Sequence, residues 1–271
     1  MHLTAPLPVT LSSDNTNAYE AIWDKLAKGM HSGKITAGNI DQDLYKQIVA
    51  DLTQAVTSGF NSINPPDTKP YQETIDALRN SVHKFSGFKT DAQIKDAAKL
   101  MINADGNIRP FNAFKKDVLA LNQEYNVTWL KTEYNQAIAS SQMAGTWVNI
   151  QEDKETLPLL MYDTVNDGRV RDEHQALNQI ILPVDDIFWK THYPPNGWGC
   201  RCGIRQLNKG VITDLTGMSI PEIPDGFRTN VGETKEALSA DHTYAKDLTK
   251  AAKNKVLKQV KDIQDTKSSP E

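Results

Sequence analysis

The chain has 271 residues, with 30 Lys and Arg against 34 Asp and Glu and a formal net charge of −4. That length fits one large domain or two smaller ones and allows a core without disulfide staples. The composition excludes a disulfide scaffold, a collagen-like or low-complexity chain and a chain-wide nucleic-acid-binding surface, and no apolar run approaches the ~18 residues of a membrane span.

The opening residues, MHLTAPLPVTLSS, lack a basic segment followed by a continuous apolar one, so no secretory leader is expected. Residues 17–30 place Tyr19, Ile22, Trp23 and Leu26 at helical spacing. Asp41 opens a second helix carrying Leu44, Ile48, Leu52 and Val56, with Gly59 as its stop. Asn64-Pro65-Pro66-Asp67 breaks the chain. Tyr71, Ile75, Leu78 and Val82 mark a third helix, residues 92–102 a fourth, and Asp105-Gly106 closes it. Pro110 starts a long helical pattern through Phe114, Val118, Leu121, Tyr125, Trp129, Tyr134 and Ile138. These stripes read as core or helix contacts, and the half that carries them reads as an assembly element.

Near Thr146 the character changes. Trp147 to Ile150 and Leu157 to Tyr162 are short, apolar and rich in β-formers, as strands are. From there to about Ile223 the chain is dense in Pro, Gly and Trp. Tyr244 to Lys267 forms a terminal helix with Leu248, Ala252, Val256, Val260 and Ile263 on one face, and lysines at 246, 250, 253, 255, 258, 261 and 267. A solvated face accounts for those lysines, with phosphate or acidic-partner binding as the alternative. The reading is therefore α+β: a helical region over 1–145, a compact short-stranded domain over 146–245, and a Lys-rich helix and tail over 246–271.

The chain has two cysteines, Cys200 and Cys202, too close in sequence for an unstrained disulfide. Pro194-Pro195-Asn196-Gly197 stiffens and then turns the chain before them. Two soft ligands on a constrained turn suit zinc, which takes four Cys or His ligands in a tetrahedron. Any further ligands come from the histidines, of which His174, His192 and His242 share this half of the chain. Packed thiols, a Cys–His nucleophile, and a metal-dependent hydrolase or nuclease using Asp167, His174 and Asp185 or Asp186 are the alternatives. Asn166-Asp167-Gly168 reads as a turn, with Gly168 the residue tolerant of positive φ, and Arg169 and Arg171 leave the same side of an extended segment. Phosphate-loop, dinucleotide-fold and H-E-x-x-H patterns do not occur.

Several ordered motifs together resemble the phage Mu protein F-like family of minor head, or head morphogenesis, proteins of tailed phages and prophages. They are Leu160-x-Tyr162-x-Thr164-x-x-Asp167-x-Arg169-Val170-Arg171-x-x-His174, then Pro183-x-Asp185-Asp186-x-Phe188-Trp189, then Pro194-Pro195-Asn196-Gly197-Trp198-x-Cys200-Arg201-Cys202. Phe227-Arg228-x-Asn230-Val231-Gly232 and His242-x-Tyr244 resemble the family's closing segment, with Thr243 where proline is common. The resemblance spans about residues 145–245 and implies an assembly role rather than turnover. The expected partners are the portal protein and capsid or scaffold proteins, with DNA contacted through Lys250, Lys253 and Lys258. The expected location is the virion, with the host cytoplasm during assembly. Each of His174, Cys200, Cys202 and His242 falls on a motif position, which implies a structural zinc site of those four residues with His192 in reserve. Asp167, Arg169 and Arg171 are then expected around it as a buried ion-pair group, Arg171 holding a carboxylate bidentately.

Overall fold

The computed structural model describes residues 13–239 and 243–266. Long helices come first: α1 (Ser13–His31), α2 (Gln42–Asn61), α3 (Lys69–Lys99), α4 (Phe111–Asn122), a π-helical stretch (Gln123–Trp129) and α5 (Leu130–Asp153). Short elements follow: β1 (Leu159–Asp163), α6 (Asp172–Gln175), β2 (Ile181–Pro183), α7 (Trp189–His192), β3 (Gly203–Leu207), a 3-10 turn (Asp225–Phe227), α8 (Val231–Thr234) and α9 (Thr243–Lys246). The last is α10 (Lys250–Asp265). This is the α+β arrangement read from the sequence. No described helix is long and apolar enough to cross a membrane.

The four-residue stripe on α2 holds its helix to a core: Leu44, Ile48, Leu52 and Val56 are fully buried. Asp41 caps the helix, its Oδ1 accepting from the Leu44 N–H at 2.9 Å. Gly59 does not stop α2, which runs on to Asn61. There the missing side chain admits the backbone of Ile138, whose Cα would lie 2.8 Å from a Cβ at this position. Three other expectations are corrected. Residues 71–82 and 92–102 are not two helices, because α3 is one unbroken helix through residue 99. The helical run from Phe111 continues beyond Ile138 to Asp153. It takes in Trp147 to Ile150, which are the end of α5 and not a strand.

The chain forms two compact units, one from residues 53–81 and 134–239, the other from 13–52, 82–133 and 243–266. Residue 145, the expected boundary, lies inside α5. In the first unit β1 is the central strand, paired antiparallel with β2 on one side and β3 on the other. Leu160 faces Gln206 and Tyr162 faces Ile204. Alternation buries Leu160 and Tyr162 completely. The Gln206 amide ties β3 to the end of α5, donating to the carbonyls of Ile150 at 3.1 Å and Leu157 at 2.8 Å. In the second unit α10 lays Val256, Val260 and Ile263 against Ile40, Tyr45 and Phe88.

Candidate metal centre

The Asn166-Asp167-Gly168 turn leads into α6, but its left-handed residue is Asn166, at φ 55°, and not Gly168. Arg171 is the N-cap in extended backbone, and one turn later His174 is carried into the protein, 4% exposed. The cysteines arrive from the other side. Gly199 adopts φ 66°, which favours glycine, and the Cys200 N–H closes a turn on the Gly197 carbonyl at 3.1 Å. Cys202 then leads directly into β3.

The two segments bring three ligand atoms together. His174 Nδ1 lies 3.6 Å from the Sγ of Cys200 and 3.6 Å from the Sγ of Cys202. All three atoms lie within 4.8 Å of one another, both thiols are free, and all three side chains are buried. Zinc bonds of about 2.3 Å to sulfur and 2.0–2.1 Å to nitrogen at tetrahedral angles separate the two atoms by about 3.6 Å. The donor set and its spacing therefore fit such an ion.

Neighbouring groups are matched to negative charge on sulfur. Hydrogen bonds from Cys202 and from His174 hold the Cys200 thiol well below its usual range, against the opposing effect of burial. Cys202 is pushed up, because it donates to Cys200 and is itself buried. The fully buried Tyr162 hydroxyl adjoins both sulfurs and donates to Asn196 Oδ1 at 2.8 Å. Burial, followed by the charge on the cysteines, raises it well above the usual phenol range.

Arg171 does not hold a carboxylate bidentately. Its guanidinium donates to the Trp198 carbonyl at 3.0 Å and to His174 Nε2 at 3.3 Å. That contact leaves the ring proton on Nδ1, between the two sulfurs. Nδ1 is the ring atom that would hold a metal, as a neutral imidazole with its proton on Nε2. Gly197 makes room for this arginine, since a Cβ there would come 2.7 Å from Arg171 Nη2.

The bidentate pair belongs to Arg201, the residue between the cysteines. Its two Nη atoms donate to both oxygens of Asp167, each at 2.7 Å. Asp167 also accepts from the Arg169 N–H at 3.0 Å. Chiefly through Arg201, the carboxyl is held well below the usual carboxylate range. This pair is partly exposed, so it fastens the His174 segment to the cysteine loop from outside the buried cluster.

Among the described residues, His174, Cys200 and Cys202 are the group that converges. His242 lies outside the described residues. His192 is not a reserve ligand. Its Nε2 meets the Pro221 carbonyl at 3.1 Å, its Nδ1 the Thr191 hydroxyl at 2.8 Å, and its ring stacks on Phe188. Asp185 pairs with Lys154 and Asp186 caps the turn at Phe188, so neither joins the cluster. On α10, Lys250 and Lys258 are exposed while Lys253 is half-buried. Pattern reading missed the roles of Tyr162, Asn196 and Arg201. The signal for Arg201 was its place between two thiols, where an uncompensated charge needs a partner.

The phage Mu protein F like protein profile matches residues 89–205, a span containing all three converging residues. The chain belongs to the phage Mu protein F-like family. Protein F of Escherichia phage Mu, by name a capsid assembly protein, is 41% identical over 199 residues, 73% of this chain and 38% of that protein. The FluMu F protein of a Mu-like prophage in Haemophilus influenzae is 39% identical over 85 residues, 31% of this chain and 20% of that protein. The chain thus matches well under half the length of either relative. No solved structure matches it. The family span begins in α3, earlier than the motifs suggested, and ends in β3, before the Phe227 to Tyr244 segment.

Proposed function

We propose that this chain acts in phage head assembly, and that its working part is a zinc-pinned loop cluster rather than a reaction centre. What carries the reading is the convergence of His174, Cys200 and Cys202 inside the family span. The capsid assembly name of the Mu relative supports the setting. Capsid or scaffold proteins and the portal would be the partners, in the host cytoplasm during assembly and then in the virion. His174, Cys200 and Cys202 would hold the ion, with His242 as fourth ligand. When bound, it would supply cross-linking free energy between the α6 segment and the cysteine loop. Tyr162 and Arg201 keep those segments in place, and the burial of all three ligands favours a structural role over an open hydrolase or nuclease site.

Elemental analysis of the purified full chain tests the metal. About one zinc per chain, lost in Cys200→Ser, is expected; a metal-free chain that keeps its thermal midpoint in chelator would refute it. Production of heads in a host where the gene is deleted tests the role, and normal infectious heads without the chain would refute that reading separately. DNA contact through Lys250 and Lys258 is a further part of the proposal, favoured by their exposure on one face of α10.

A further inference from the structure

The second unit contains a helix interface made almost wholly of polar groups. On α3, Ser86, Lys89 and Gln93 form one helical stripe and all are fully buried. Facing them are Asn122, Asn126 and Glu133, each no more than 3% exposed, with Tyr125 between. Lys89 Nζ donates to Glu133 Oε2 at 2.6 Å and to the Tyr125 carbonyl at 2.7 Å. Tyr244 donates to the other Glu133 oxygen at 2.6 Å. Asn126 donates to Gln93 at 2.8 Å and to Asn122 at 3.0 Å. Three buried polar atoms across this contact, Ser86 Oγ, Gln93 Nε2 and Asn126 Oδ1, make no hydrogen bond within the protein. The facing backbone is the π-helical stretch, an irregularity that is itself rare and often functional.

An interface of this kind is less stable than an apolar one of the same shape. Both charges lose their hydration, and only good geometry with every remaining group satisfied offsets that loss. Here three groups find no partner within the protein, whereas elsewhere in the same unit α10 closes on Ile40, Tyr45 and Phe88 through an apolar cluster, and its Gln259 side chain is satisfied by the Ile40 N–H and the Gly38 carbonyl.

We infer that the contact between α3 and the π-helical stretch is a built-in opening point, at which the two helices part during head assembly while the apolar packing of the unit stays closed. The trigger rests on the assembly reading; the low local stability belongs to the chain itself. Parting the helices rehydrates Lys89, Glu133 and the amides, a gain that an apolar interface lacks. The opened faces are then hydrophilic, so the opened chain stays soluble until a partner covers them.

Native-state hydrogen exchange on the full chain tests the stability directly. Amides of residues 86–96 and 122–133 are expected to exchange at least about 100-fold faster than those of residues 44–52 on α2 in the same unit. Equal protection of the two sets would overturn the inference, whatever the protein's function. The volume-conserving double variant Lys89→Met with Glu133→Leu tests the use. It is expected to melt no lower than wild type, to exchange more slowly at 86–96, and to yield fewer heads. A variant with slowed exchange and a full yield of heads would overturn the inference. If the variant does not fold, the wild-type exchange pattern decides alone.

Discussion

Gly232 stands in the closing motif, and the structure gives it a packing reason. A Cβ on Gly232 would lie 2.5 Å from Cδ1 of Trp147 and closer still to its Cβ and Cγ. Those are the root of a side chain on α5, not a flexible end. Asn230 Oδ1 accepts from the Gly232 N–H at 2.9 Å, so the backbone of residue 232 is held as well. Trp147 cannot retreat freely, because it is buried edge-on against Tyr193, whose hydroxyl donates to the Met143 carbonyl at 2.9 Å. Gly232→Ala should therefore show the upper part of the 1–3 kcal/mol range for overpacked sites, about 2–3 kcal/mol. At roughly 2–4 °C per kcal/mol for a protein of this size, the thermal midpoint should fall by about 4–12 °C. Gly168→Ala is the control, since its Cβ meets nothing within 4 Å and its φ is not positive. It should leave stability unchanged or raise it by about 0.4–1 kcal/mol through the unfolded chain. Thermal denaturation followed by near-ultraviolet circular dichroism reads both the midpoint and the Trp147 environment. A Gly232→Ala variant that melts with wild type, or two glycine variants that shift alike, would refute the packing argument.

Asp167 should give the protein part of its acid limb. Its folded-state pKa lies below the unfolded value, so its stabilisation is present above about pH 4 and is lost as pH falls through the folded value. Thermal midpoints of wild type and Asp167→Asn should thus converge as pH falls from 5 toward 2, and a constant gap would count against the Arg201 pairing. The proposed metal should shield both thiols: a disulfide-exchange reagent is expected to titrate neither in the native metal-loaded chain and both after chelation, and two reactive thiols in the loaded chain would remove Cys200 and Cys202 from the ligand set. If α10 contacts DNA, changing Lys250 and Lys258 to Gln should flatten the plot of log affinity against log salt by about 2 in slope. A salt-independent affinity in wild type would exclude that contact.

What could be read from the sequence follows from which residues are buried. Leu44, Ile48, Leu52 and Val56 announced α2 because an apolar stripe is its buried face. The same logic split α3 wrongly, because residues 85–91 are buried all round the helix and Ser86, Lys89, Thr90, Asp91 and Gln93 among the buried groups read as solvent-facing. Trp147 to Ile150 looked like a strand by residue type, yet Met143, Trp147 and Ile150 are buried at spacings of four and three, the period of one helix face. The cluster was legible as a candidate, since two thiols on a constrained turn and a histidine on ordered motifs suit a metal as well as plain packing, and His174, Cys200 and Cys202 do converge. Its support was not legible. The pairing of Asp167 with Arg201 joins residues on different segments, and apart from Arg201's place between two thiols nothing in local pattern distinguishes it from Arg171 as the partner. The turn at Asn166, the room that Gly197 leaves for Arg171 and the left-handed Gly199 decide which guanidinium reaches the carboxylate and which reaches the ring. Residue type thus named the converging side chains, while backbone geometry chose their supports. The Asp167 variant tests one of those supports without altering a proposed ligand, so a loss of bound metal in it would act through the pairing that fastens the two segments.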